Sequence, residues 1–227
     1  MLKAFAPSLY VAEGPCVPFL GIPYPTRMAV VQLQNGDLWV WSPVALSPEL
    51  EREIKAVGPV RHIVSPNKIH HLFLAEWAER FPDAKFYAPP GLAQRKPELR
   101  FDFELSEEAH PAWAGEIDQT IFKGSLAMEE VVFFHRPSRT AILCDLVQRH
   151  ESTELKTSQR WMMRADGLLG EMGSTPREWR FTFWRRRQTR AARAELLSWK
   201  PENLIIAHGT CATGQASKIL TRALAWI

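Results

Sequence analysis

Cysteine is scarce in this 227-residue sequence: Cys16, Cys144 and Cys211 are its three, and none falls in a CxxC spacing. An odd number without paired spacing points to neither a disulfide framework nor a zinc knuckle. It sets a reducing, cytoplasmic compartment as the expectation. Long apolar runs are missing too. No window reaches the roughly 18 apolar residues needed to span a bilayer. The opening "MLKAFAPSLYVAEGPCVPF" has one lysine but no apolar core of a signal peptide. No membrane partner is therefore expected. An excess of one charge is also lacking, because 28 basic residues oppose 25 acidic ones for a net +3. That balance gives no reason to expect a polyanionic partner. Internal repeats and low-complexity segments are absent.

What is present describes an ordinary globular chain, 46% hydrophobic and 23% charged, able to bury a sizeable core. One domain over 1–227 is expected, with an irregular insertion or lid around 148–184. The nine tryptophans are dispersed, which suits core or rim packing and forms no stacking platform. "MAVVQLQNGDLWVWSPV" reads as a β-hairpin around Asn35-Gly36, a dipeptide that accepts positive φ. "SPELEREIKAVG" reads as a helix with Ser47 as N-cap, Pro48 in the first turn and Gly58 as its stop. "VRHIVS" is a strand, and "HLFLAEWAERFP" a helix expected to bury Leu72, Ala75, Trp77 and Ala78. "EEVVFFHRPSRTAILCDLV" forms a second hairpin, followed later by the helix "RRRQTRAARAELLSW", the strand "NLIIAHG" and a terminal helix. Strands and helices alternate in both halves, so a layered α/β protein is expected, with one mixed sheet or with two sheets flanked by helices.

Three segments, "HIVSPNKIHH", "AILCD" and "LIIAHG", share one arrangement in which a ligand-type residue follows directly on an apolar strand. Sites in layered α/β folds collect beyond strand ends, where loops converge on a rigid frame. His70, His71, Asp145 and His208 are therefore candidates for one site. Three imidazoles and a carboxylate suit tetrahedral zinc, or part of an iron or manganese shell. Taken singly, each has a plainer explanation: a histidine after a strand is more often a hydrogen-bonded turn residue, and Asp145 would cap a turn. His135 is expected to face solvent, and His62, His110 and His150 to be bystanders. Cys144 should point into the core by strand alternation. Cys211 would line the site, but no activating base marks it as a nucleophile. Arg185, Arg186, Arg187, Arg190 and Arg193 form a basic run that reads as the solvated face of an amphipathic helix, so a nucleic-acid partner is not expected.

In order, these elements resemble the metallo-β-lactamase fold superfamily over nearly the whole chain, as a divergent branch. The resemblance implies an α/β (α+β) fold, an αββα four-layer sandwich with its site along one edge of two sheets. The family's His-x-His-x-Asp-His motif falls on Pro66-Asn67-Lys68-Ile69-His70-His71. Its first two histidines are replaced by Pro66 and Lys68, its aspartate by His70, and its last histidine is kept as His71. The next ligand position falls near Leu126, without a histidine. The bridging aspartate matches Asp145, and the final histidine matches His208. The resemblance thus implies the loss of one metal position and a substituted but complete set at the other.

Two functions follow as expectations. The first is a mononuclear metal-dependent hydrolase acting on a small molecule, with one divalent ion, zinc before iron or manganese, held by His70, His71, Asp145 and His208. Asp145 and Lys68 are assigned to catalysis. The second is a metal-free, non-catalytic binding protein in which the Lys68 ammonium replaces the lost metal charge and pairs with Asp145. Substrate and oligomeric state are left open by the sequence.

Overall fold

The computed structural model describes residues 1–19, 22–150, 164 and 167–227. Its contacts divide the chain into two units, Met1–Ser106 with His110–Glu116, and Glu107–Ala109 with Ile117–Ile227.

In the first unit, short apolar runs broken by Pro and Gly build a seven-stranded sheet. Its strands are β1 (Leu2–Ala6), β2 (Leu9–Glu13), β5 (Arg27–Gln32), β6 (Leu38–Trp41), β7 (Val60–Val64), β8 (Lys85–Ala88) and β9 (Phe103–Glu104), in spatial order β1-β2-β5-β6-β7-β8-β9. The first four are antiparallel neighbours, and from β6 onward neighbours are parallel. β3 (Val17–Phe19) and β4 (Ile22–Tyr24) form a separate ribbon. The expected hairpin around Asn35-Gly36 is the β5–β6 pair, and Gly36 takes the positive φ of 87° that its turn requires.

Helix α1 (Pro48–Val57) begins as its sequence predicts, with Ser47 Oγ accepting from the Leu50 amide at 3.2 Å. It stops where a Cβ on Gly58 would lie 2.6 Å from the Gly36 carbonyl oxygen, so the close approach of helix end and turn demands glycine. Helix α2 (Leu74–Arg80) starts later than expected, and its buried face differs accordingly. Leu74, Trp77 and Phe81 point inward, while Leu72 is 60% exposed and Ala75 is also exposed. The reason is local: residues 65–71 are held in a side-chain-bonded turn, so helical phase is set from Leu74. α3 (Leu92–Arg95) is a single turn. Met28, Val30, Val40, Ile63 and Phe86 of the sheet pack with Leu50, Ile54, Trp77 and Phe81 of the helices in one core. Trp77 also donates its indole N–H to the Val44 carbonyl at 2.8 Å.

The second unit has a four-stranded sheet in the order β10 (Ile117–Phe122), β11 (Glu130–His135), β12 (Thr140–Leu143), β13 (Asn203–Ile206), of which only the last pair is parallel. Its helices are α4 (Arg177–Arg180), α5 (Arg186–Ser198) and α6 (Ala216–Ala223). Phe122, Val132, Leu143, Leu204 and Ile206 pack with Trp179, Phe183, Leu196, Ile219 and Leu220 in a second core. Two arginines of the basic run also reach the C-terminal residues, Arg190 from an exposed position and Arg193 from a half-buried one: Arg190 Nε donates to the Ile227 carbonyl at 2.9 Å and Arg193 Nη2 to that of Thr221 at 3.4 Å. His135 corrects a second expectation. It ends β11 only 1% exposed, with Nδ1 hydrogen-bonded to Ser138 Oγ at 2.7 Å. β11 is flanked by β10 and β12, which close over a residue that the hairpin turn alone would leave in water. Residues 151–163 and 165–166 of the expected lid lie outside the described residues. Among the described residues no helix is long and apolar enough to cross a membrane.

Candidate functional site

Parallel pairing of β12 with β13 places two ligand-type residues side by side. The register matches Leu143 with Ile206, and the Ala207 amide extends it by donating to the Leu143 carbonyl at 3.2 Å. Asp145 and His208 are each two residues beyond the last matched pair. Asp145 Oδ1 and His208 Nε2 are 3.1 Å apart, with both residues buried.

Each chain turn is locked from behind. Glu130, at the start of β11, is completely buried. Its Oε1 accepts from the Cys144 amide at 2.8 Å, and its Oε2 from those of Asp145 at 2.7 Å and Leu146 at 3.1 Å. One carboxyl group thereby fixes the backbone on both sides of Asp145. Burial first, then the neighbouring Asp145 charge, pushes Glu130 up to about 8 against the opposing pull of those amides. On the other side Arg149 Nη1 donates to the carbonyls of Thr210 at 2.9 Å and Cys211 at 3.0 Å. Gly209 has φ 105°, and a Cβ there would meet the Arg149 carbonyl oxygen at 1.9 Å. The "HG" pair is therefore a steric requirement of the turn that presents His208. His150, expected to be a bystander, is buried beside it, and burial first, then His208, hold its imidazole down to about 4.

In the first unit, His70 and His71 belong to a turn wrapped around two buried polar side chains. Ser65 Oγ donates to the carbonyls of Asn67 at 3.0 Å and His70 at 2.8 Å. Asn67 Oδ1 accepts from the amides of Ile69 at 3.0 Å and His70 at 3.3 Å. His70 Nδ1 is hydrogen-bonded to Ser42 Oγ at 2.8 Å, and the Ser42 amide donates to Val64 at the end of β7. A partner on one ring nitrogen orients an imidazole in the way that metal-binding histidines are oriented. His71 is half-buried, and burial, then Lys96, lowers it, which favours the neutral imidazole. Lys68 turns toward Gly91: its Cε and Nζ lie 2.9 Å from where a Cβ on that glycine would sit.

The structure thus brings Asp145 and His208 together in the second unit and fixes His70, His71 and Lys68 on one turn of the first. Glu130, Ser42 and Asn67 are additions that sequence reasoning missed. The available signal for Glu130 was a carboxylate two residues before Val132, on the strand face that enters the core.

Residues 17–161 match the model of a family described as a domain of unknown function, DUF4336. The chain belongs to the DUF4336 family. No curated protein matches its sequence. Among solved structures, this DUF4336 chain is similar to the DIM-1 metallo-β-lactamase, at 12% identity and TM-score 0.67 over 98% of this chain and 95% of that one. The metallo-β-lactamase FIM-1 from Pseudomonas aeruginosa, solved in a mono-zinc form, is 12% identical with TM-score 0.63 over 100% and 96%. That from Pontibacter korlensis is 14% identical with TM-score 0.64 over 100% and 97%. The fold of the DUF4336 chain is therefore the metallo-β-lactamase fold, as its element order led us to expect.

Proposed function

We propose that this DUF4336 protein is a hydrolase of the metallo-β-lactamase type that works with a single divalent metal ion, zinc before iron or manganese, on a small-molecule substrate. The observation that carries the reading is the Asp145–His208 pair, buried with its donor atoms 3.1 Å apart at the ends of two parallel strands. Two ligands at about 2.0–2.1 Å from one tetrahedral zinc lie roughly 3.3 Å from each other, so the pair fits the edge of such a site. The donor chemistry fits as well: His71 is lowered by burial, and a neutral imidazole is the ligand form. The proposed ligands are His70, His71, Asp145 and His208, from the register of the degenerate motif. The ion would supply Lewis acidity, polarising a carbonyl or phosphoryl oxygen and making water more acidic.

The chain's own residues have separate tasks. Glu130 holds the Asp145 backbone through three amides, and Ser42 orients His70. Lys68, standing where the family has a metal ligand, supplies a fixed positive charge for an anionic group of the substrate. A second reading is favoured by the same distance, because 3.1 Å is also a complete hydrogen bond from His208 to Asp145. In that reading the protein binds its ligand without metal or catalysis. Elemental analysis of protein purified without chelator decides between them. About one metal ion per chain, lost in His208→Ala, is the expected result, and a metal-free protein would leave the binding-protein reading in its place.

A further inference from the structure

In the second unit, the sequence "REWRFTFWRRRQTR" over 177–190 is half buried and half displayed. Trp179 and Phe183 enter the core, whereas Phe181 is 80% and Trp184 76% exposed. A second segment runs alongside. The Leu126 amide donates to the Thr182 carbonyl at 3.0 Å, the Trp184 amide to that of Gly124 at 2.9 Å, and Ser125 Oγ is bonded to Thr182 Oγ1 at 2.7 Å. Leu126, held in this way against Thr182, the residue after Phe181, is 77% exposed. Of the six exposed large apolar side chains among the described residues, three are gathered at this place. Single exposed apolar residues are ordinary, but a cluster of large ones marks a contact surface.

Charge is concentrated at the same place. Residues 177–190 carry six arginines against one glutamate, while the entire chain nets only +3, so the remainder is net acidic. Arg177, Arg185, Arg186 and Arg187 are exposed and form no ion pair among the described residues. Exposed Trp and Phe beside unpaired arginines suit the headgroup level of a bilayer, where aromatic rings settle and basic side chains meet anionic lipid. Leu126 has no π-face on which a nucleic-acid base would stack, but it can enter the acyl boundary.

We propose that Leu126, Phe181 and Trp184, with Arg177 and Arg185 to Arg187, form a surface that docks this protein on an anionic lipid bilayer. The expectation of no membrane partner rested on the lack of a spanning segment, and peripheral docking needs none. The proposal is independent of whether the protein binds metal.

Co-sedimentation of the full chain with vesicles tests it, comparing pure phosphatidylcholine with mixtures containing phosphatidylglycerol. Binding to the anionic vesicles alone is expected, weakening as salt is raised. Replacing Arg185, Arg186 and Arg187 by Gln should lower partitioning about fivefold per arginine, on the order of 100-fold together. The double variant Phe181→Ser/Trp184→Ser should lower it about tenfold or more, with circular dichroism and melting temperature unchanged. Equal sedimentation with both lipids, or no loss in the double variant, would overturn the proposal. Tighter binding to a single-stranded oligonucleotide than to the anionic vesicles would overturn it in favour of nucleic acid. Lipid-free dimerisation abolished by Trp184→Ser would overturn it in favour of a second copy of the chain.

Discussion

Glu130 spends its carboxyl group on three consecutive amides in a site without water access, and each such bond is worth about 1 kcal/mol net. Glu130→Ala should therefore lower unfolding free energy by about 3 kcal/mol in urea titrations, and it should release Asp145 from its orientation. If metal content falls with it while Glu130→Gln keeps part of both, the positioning role stands. His135 sets a pH response of its own. Burial holds its imidazole down to about 4, from an ordinary value of 6.5, and its Nε2 has no hydrogen-bond partner among the described residues. Between those two pH values the unfolded chain binds the extra proton and the folded one does not. The contribution of His135 is therefore fully present above 6.5 and is lost as pH falls toward 4, by an amount on the order of 3 kcal/mol. His135→Phe keeps the ring without the titration, so its stability curve should be flatter over that window; a curve as steep as that of the unsubstituted protein would remove His135 as the cause. The burial of His135 was not legible in the sequence, and that of Glu130 was signalled only by its sharing a strand face with Val132. A lone Glu or His says nothing of burial until the strands beside it and the amides above it are known. Asp145 and His208 were legible, because each follows directly on an unbroken apolar strand.

Helix α1 and the His208 turn are elements whose ends are chemically specified. Ser47→Ala removes the side-chain bond to the Leu50 amide and should cost about 1 kcal/mol, read as a lowered melting temperature. Gly209→Ala should cost considerably more. It places a methyl group inside the Arg149 backbone and a side chain at φ 105°, so the turn must open and carry His208 with it. A loss of roughly 2–4 kcal/mol is expected from the combined strain and displaced packing. The elements themselves were read from sequence with uneven success. Asn35-Gly36, Ser47-Pro48 and the apolar runs of β7, β11, β12 and β13 carry strong local signals, and the structure has them in the expected order. β1 to β4 were missed because short strands are defined by their partners, and for β3 and β4 also because Pro and Gly between 14 and 25 resemble loop. α2 was begun too early, at His71 where the chain is still turning, so Leu72 and Ala75 were wrongly given to the core while Trp77 and Ala78 pack on it as expected.

At the scale of the whole chain, a fold shared at 12–14% identity over 98–100% of the sequence shows what the pattern of elements conserves and what it does not. Strand and helix order needs only apolar periodicity and turn chemistry, which many sequences satisfy. A ligand set needs particular atoms at particular positions, and apolar periodicity does not specify those. The same tolerance governs stability. The apolar clusters of the two units have no residue in common: Ile63 lies in the first, between β6 and β8, and Ile219 in the second, on α6. Trimming each to valine removes one methylene, at a cost of about 1 kcal/mol apiece. Since the two side chains belong to different clusters, the double variant should lose the sum of the two within about 0.5 kcal/mol. Urea unfolding of the four proteins in this cycle measures the difference directly. A coupling clearly above that limit would mean that the two clusters do not respond independently to the loss of a methylene.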